Sequence, residues 1–193
     1  MTRIEFIGAS ESNREGAGAD LISDTYRTLN RRLHQGGKFG RHGDDWAADV
    51  CRLAEAQGLS DVLDYGCGQG MLAKEVGRLR PGLPVREYDP AIAGKDALPS
   101  PADLVVCTDV LEHIEPELLD NVLDHLQTLS RSFLFAVIAT RPAKKVLEDG
   151  RNAHLIVQPE GWWRPRLAQR FHIVEWRGLE KDFAVVLRAL PAA

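Results

Sequence analysis

Residues 62–70, Val62-Leu63-Asp64-Tyr65-Gly66-Cys67-Gly68-Gln69-Gly70, decide the fold: an apolar strand runs straight into three alternating glycines and then into a helix. Glycine turns the backbone through positive φ, and without a Cβ it lets a ligand lie against the peptide groups. Free N–H groups at the start of the following helix favour an anionic group. The stretch therefore reads as a nucleotide-cofactor loop, and its spacing separates two kinds of cofactor. A nicotinamide or flavin fingerprint is Gly-x-Gly-x-x-Gly. Here Met71 stands three past Gly68 and the third glycine comes one place early, at Gly70. Dinucleotide binding is disfavoured.

Outward from this loop the chain alternates. Strands are predicted at 62–65, 84–88, 103–108, 132–139, 171–177 and 182–189, and helices at 70–80, 116–129 and near 159–170. The helix from 116 is well signed, with Pro116 in its first turn and Leu119, Val122, Leu123 and Leu126 at helical spacing. The last two strands, around Gly178-Leu179-Glu180-Lys181, read as a hairpin. The pattern predicts an α/β fold, a doubly wound Rossmann-like sheet with a C-terminal antiparallel hairpin. Two helices precede the first strand. One starts at Asp20 with Ile22, Tyr26, Leu29 and Leu33 inward and stops at Gly36-Gly37; the other is capped by Asp44 and stops at Gly58. Residues 1–19, rich in Gly, Ala, Ser and Glu, are expected to be mobile. The remainder, 20–193, is expected to be one domain, with 20–58 as a helical cap and 61–193 as the core.

The string 63–70 resembles motif I of the class I S-adenosylmethionine-dependent methyltransferases, an apolar pair, an acid and x-Gly-x-Gly-x-Gly. Three further stretches follow in order. Pro84-Val85-Arg86-Glu87-Tyr88-Asp89-Pro90 is a second short strand ending in an acid, about twenty residues past the glycines. Lys95-Asp96-Ala97-Leu98-Pro99 resembles the family's acid-x-Leu-Pro segment. Residues 102–114, Ala102-Asp103-Leu104-Val105-Val106-Cys107-Thr108-Asp109-Val110-Leu111-Glu112-His113-Ile114, resemble motif IV of small-molecule methyltransferases. The resemblance implies S-adenosyl-L-methionine as cofactor, held by Asp64, Gly66, Cys67, Gly68, Gly70, Asp89, Asp96 and Asp109. Asp89 would accept hydrogen bonds from the ribose hydroxyls, and Asp96 would meet the adenine. It also implies leading helices over the cofactor, with Tyr26 toward the acceptor. Between Asp89 and Asp103 there is too little chain for the family's usual helix, strand and helix, so one edge of the sheet is expected to be trimmed.

Composition excludes several other classes. A chain of 193 residues fits one domain, and a net charge of −4 argues against a protein built mainly to wrap nucleic acid. Cys51, Cys67 and Cys107 are too scattered for a zinc site and too few for a disulfide framework. With no apolar signal core and no stretch of membrane-span length, a cytoplasmic protein without membrane contact is the expectation.

For the chemistry, an in-line methyl transfer needs alignment and water exclusion from the protein. An oxygen acceptor also needs its proton removed, for which His113 and His154 are the candidates. Asp109, Glu112 and His113 are spaced i, i+3, i+4, and with His154 they make a candidate site for a divalent metal ion. That set resembles the metal site of small-RNA 3′-terminal 2′-O-methyltransferases and ubiquinone-pathway O-methyltransferases, with Asp109 where those have Glu. Between 141 and 170 seven bases face three acids, an excess that would suit an anionic acceptor. Lys144, Lys145 and Arg151 are the substrate candidates, while Arg166 and Arg170 read as the solvated face of a helix. The expected function is S-adenosylmethionine-dependent O-methylation of a small polar molecule, anionic acceptors included. An RNA 2′-O-methyltransferase is the runner-up, with a nicotinamide oxidoreductase and an inactive cofactor-binding subunit as alternatives from other classes.

Overall fold

The computed structural model describes residues 20–35 and 43–190; the predicted mobile segment 1–19 and the Gly36-Gly37 stop lie outside them. Its elements, in chain order, are α1 (Asp24–Gln35), α2 (Ala47–Ala56), β1 (Val62–Tyr65), α3 (Met71–Leu79), β2 (Val85–Tyr88), β3 (Ala102–Thr108), α4 (Leu119–Leu129), β4 (Ser130–Ala139), α5 (Glu160–Ala168), β5 (Phe171–Gly178) and β6 (Asp182–Ala189). The six strands form one sheet in the order β2-β1-β3-β4-β6-β5. β1 pairs in parallel with β2 and β3, and β3 with β4, whereas β6 is antiparallel to both neighbours. The closing hairpin thus inserts its second strand beside β4. β2 and β5 are the edge strands, and after β2 residues 89–101 carry no strand or helix, as the trimmed edge requires.

Strand side chains alternate between faces, and the two faces collect different helices. Leu63, Val105, Leu134, Ala136, Val185 and Leu187 pack with α4 and with Trp163 and Leu167 of α5. Val62, Leu104, Val106, Phe135, Val137 and Ala184 pack with α2 and α3. α2 is therefore a layer helix rather than part of a lid, and the cap expected over 20–58 falls to α1 within the described residues. The other local departures are small. Asp44 does not cap α2, because Gly43–Trp46 winds as a 3-10 turn and leads into the helix with no side-chain cap. Likewise α1 is capped by Ser23, whose Oγ accepts the Tyr26 N–H at 3.1 Å, rather than by Asp20.

The helix α1 lies across the carboxyl edge of the sheet because its ends and middle are tied to different loops. Ser23 donates from N and Oγ to the buried Glu115 carboxylate at 2.8 and 2.6 Å. Arg27 donates to the Pro90 carbonyl at 2.9 Å, and Arg32 pairs with Glu148. Beneath it, β1 is the strand from which the order runs to β2 on one side and to β3 on the other. Ligands of open α/β sheets bind at such a switch point, outside the carboxyl ends of the strands.

Candidate active site

A cleft of about 610 Å³ opens at that edge, within the size range of small-molecule sites. One wall is the glycine loop. Gly66, Gly68 and Gly70 all have positive φ, at +79°, +50° and +76°. At Gly66 an added Cβ would run into the Val110 side chain, so the bare backbone lets the loop after β1 lie directly against the loop after β3. At Gly70, which starts α3, a Cβ would collide with the Glu87 carboxylate. The loop is tied down by its neighbour strand: Gly66 and Cys67 N–H donate to the Tyr88 carbonyl at 2.7 and 3.0 Å. Asp89, only 6% exposed, accepts from Gly68 N at 3.1 Å and from Ala91 N at 2.9 Å. Its predicted neighbour Asp96 is elsewhere. That side chain is exposed, accepts from Gly94 N at 3.1 Å and does not line the cleft, because the shortened connection curls back through the Lys95 carbonyl to Asp89 N.

Two polar side chains here escaped the sequence reading. Lys95 Nζ donates to Glu87 Oε1 at 3.0 Å and to the Gly68 carbonyl at 3.2 Å, clamping the glycine loop from its outer side. His34 of α1 brings Nε2 to 3.8 Å from Asp89 Oδ2. Its signal was present in the sequence: Tyr26, Asn30 and His34 recur at steps of four and all line the cleft.

Asp64 lines the same wall, buried, and its carboxyl is pushed up to about 7 by burial, with Glu87 adding to the rise and Lys95 opposing it. An unfolded aspartate titrates near 3.9. Between roughly 4 and 7 the unfolded chain has lost this proton and the folded chain keeps it, so this contribution to stability is complete below about 4 and is lost as pH rises to about 7. Asp64→Asn is therefore expected to gain in Tm over the parent on going from pH 4.5 to pH 8. A Tm difference independent of pH would count against it.

The opposite wall follows β3. Asp109 takes φ +55°, the only positive value at a described residue other than glycine, a conformation that costs an L-residue free energy. Residues 111–113 form a single 3-10 turn. Within it Glu112 is fully buried, with Oε1 accepting from Ala139 N at 3.1 Å. Burial first, and then the charge of Asp109, push its carboxyl up to about 8. His113 Nδ1 lies 2.7 Å from the Ala153 carbonyl, and His154 Nδ1 lies 2.6 Å from that of Arg141. Carbonyls only accept, so each Nδ1 carries a proton, and it is Nε2 that holds the lone pair of such a ring when neutral. The two rings meet edge to face with centroids 4.7 Å apart. Burial draws His113 down to about 4, which keeps it neutral at physiological pH.

The four expected metal ligands do not all converge. Glu112, His113 and His154 offer ligand atoms within 4.8 Å of one another, but Asp109 is not in that group. The reason is local: the α-helical spacing i, i+3, i+4 does not apply across a left-handed residue and a 3-10 turn. The remaining two nitrogens and one oxygen are a donor set that suits a divalent ion, and Glu112 Oε2 is buried without a hydrogen-bond partner.

Of the substrate candidates, Tyr26, Lys144 and Lys145 line the cleft and Arg151 does not. Arg151 pairs instead with Asp149 at 2.8 Å, its guanidinium 5.6 Å from the centre of the Tyr26 ring. Arg166 and Arg170 lie outside the cleft, Arg166 over the Trp162 ring; Arg170 is not on a solvated helix face but lies past the end of α5, largely covered and bonded to Asp120 and Asp124. No helix among the described residues is long and apolar enough to cross a membrane.

Comparison with known proteins bears on this geometry directly. The structure is similar to that of TnmH, with a TM-score of 0.60 at 19% identity over 86% of this chain; the chain spans 61% of the length of that protein. It is similar to the 1,6-didemethyltoxoflavin-N1-methyltransferase of Burkholderia thailandensis, solved with S-adenosylhomocysteine, with a TM-score of 0.61 at 17% identity over 94% of each chain. It is also similar to the N-methyltransferase NodS of Bradyrhizobium japonicum, again with S-adenosylhomocysteine, with a TM-score of 0.55 at 18% identity over 88% of this chain and 100% of the other. No curated protein matches by sequence. At these identities the likeness speaks for the fold, but a family model described as a methyltransferase domain matches residues 38–184, from before α2 into β6. The glycine loop, the acid after β2 and the strand-to-turn segment 102–114 all fall inside that match, and the chain belongs to the methyltransferase domain family.

Proposed function

We propose that this methyltransferase takes S-adenosylmethionine as donor and moves its methyl group to an oxygen of a small polar acceptor. The observation that carries the reading is the placement of the glycine loop against the segment after β3: Gly66 abuts Val110, and three residues on, His113 faces His154. The S-adenosylhomocysteine in the two solved relatives supports the choice of donor.

The methyl group reaches the site already activated as a sulfonium, so the cofactor supplies the electrophile. The chain supplies alignment, exclusion of water and a destination for the proton. Asp64 and Asp89 hold the cofactor beside the glycine loop, Asp89 toward the ribose. The α1 helix covers the cleft. His113 and His154, each with its N–H committed to a backbone carbonyl, turn Nε2 lone pairs to the acceptor, and one of them takes the hydroxyl proton as the oxygen attacks. A divalent ion, where bound, would be held by Glu112, His113 and His154 and would supply Lewis acidity toward the acceptor oxygen. For that ion, Mn²⁺ or Zn²⁺ is expected to raise the Tm of the parent and not of His154→Ala; equal shifts in both, or none in either, would remove the metal from the reading.

The donor is tested without knowing the acceptor. A ligand bound only by the folded state stabilises it by RT ln(1 + [L]/Kd), about 2.7 kcal/mol at a hundred times Kd. S-adenosylhomocysteine is expected to raise Tm and NADH to leave it unchanged. The reverse result would turn the reading to an oxidoreductase.

A further inference from the structure

The lysines and arginine that line the cleft, Arg141, Lys144 and Lys145, all stand on one rim, whereas its acids are spread through it at Asp45, Asp64, Asp89, Asp109 and Asp182. Asp64 and Asp89 stand at the glycine loop, while the far rim is formed by the segment 141–154, which the structure builds firmly. Asn152 holds it closed, donating to the Ala143 carbonyl and accepting from Ala143 N and His154 N, all at 2.9 Å. Lys145 accepts through its carbonyl from Ala153 N at 3.0 Å, and the Ala153 carbonyl in turn takes the His113 N–H. Two hydrogen bonds thus link the Lys145 backbone to the catalytic imidazole, a separation a small molecule can span.

On this rim the other charges are spent. Arg141 pairs with Asp182 at 3.6 Å, Arg151 with Asp149, and Arg32 with Glu148. Lys144 and Lys145 line the cleft and make no ion pair among the described residues. Beside them, Tyr26 is buried with its hydroxyl lacking a partner, the Asn30 amide being committed to the Tyr26 carbonyl at 3.2 Å.

Resting on the proposed methyl-transfer reading, we infer that the acceptor is a hydroxylated anion whose carboxylate or phosphate is bound by Lys144 and Lys145 while its hydroxyl lies at the His113–His154 pair. Asp89 at the glycine loop favours the cationic donor at that end and the two lysines favour the anion at the other, so the cleft seats both partners in one orientation.

The test titrates the full chain saturated with S-adenosylhomocysteine with benzoate, phenyl phosphate and phenol. At least one anion is expected to bind ten-fold or more tightly than phenol. That preference is expected to vanish in the double variant Lys144→Gln, Lys145→Gln and to survive in Lys74→Gln, an exposed lysine of α3 that does not line the cleft, with S-adenosylhomocysteine affinity unchanged in both. The relative affinities of benzoate and phenyl phosphate assign the anion as carboxylate or phosphate. Equal binding of all three probes, or a preference that persists in the double variant, overturns the inference. Failure to saturate with S-adenosylhomocysteine overturns the donor reading instead, and the same titration of the unliganded chain still decides the anion site.

Discussion

Replacing His154 and His113 together by alanine is expected to lower kcat by about 10²–10⁴, the contribution of a placed general base, while S-adenosylhomocysteine affinity stays within about two-fold. The acceptor for this measurement comes from a metabolite screen with tritiated donor. The split between rate and binding follows from position: the two N–H groups go to Ala153 and Arg141 on the acceptor side. His113 is held at about 4 by burial, so its lone pair survives mild acid, and a rate that falls between pH 7 and pH 5 would have to come from another group. A double variant within three-fold of the parent kcat would leave alignment alone as the source of catalysis and remove the histidines from the mechanism.

The sequence declared the scaffold more fully than the site, and the reasons are physical. Strand bounds at 62–65 and 182–189 coincide with β1 and β6, because apolar runs bounded by turn residues are a local signal. The trimmed edge was legible as missing length between Asp89 and Asp103. Asp64, Gly66, Cys67, Gly68, Asp89 and Asp109 all line the cleft, since the loops after β1, β2 and β3 meet at one edge of the sheet, whereas Gly70 does not line it and starts α3 against Glu87. What failed depended on backbone conformation or on long-range pairing. Asp109 leaves the ligand group because a left-handed residue and a 3-10 turn replace the helix its spacing suggested. Asp96 leaves the cleft because the shortened connection folds back on Asp89. Lys95 on Glu87 is a partnership across 8 residues that no periodicity announces, and the helical spacing that puts His34 on the Tyr26 face does not tell that this face meets Asp89, 55 residues on.

Asp89→Ala is expected to weaken S-adenosylhomocysteine binding by about 1.5–3 kcal/mol, roughly 10- to 150-fold, the worth of charge-assisted hydrogen bonds lost from a buried site. The carboxylate does two things that the variant removes together. It accepts from Gly68 N and Ala91 N, fixing the glycine loop relative to the loop after β2, and each oxygen keeps a lone pair for a ribose hydroxyl. Asp89→Asn separates them, since its carbonyl oxygen can still hold one backbone N–H while the negative charge is gone. If the charge on the ribose dominates, Asn behaves like Ala in binding yet like the parent in Tm. If loop geometry dominates, Asn recovers most of the affinity. Asp96→Ala, exposed and bonded only within its own turn, is expected to bind like the parent and serves as the control. Asp89→Ala binding the cofactor as tightly as the parent would mean that the acid after β2 is a structural staple of the loop, and that the ribose carboxylate has to be sought elsewhere on the cleft wall.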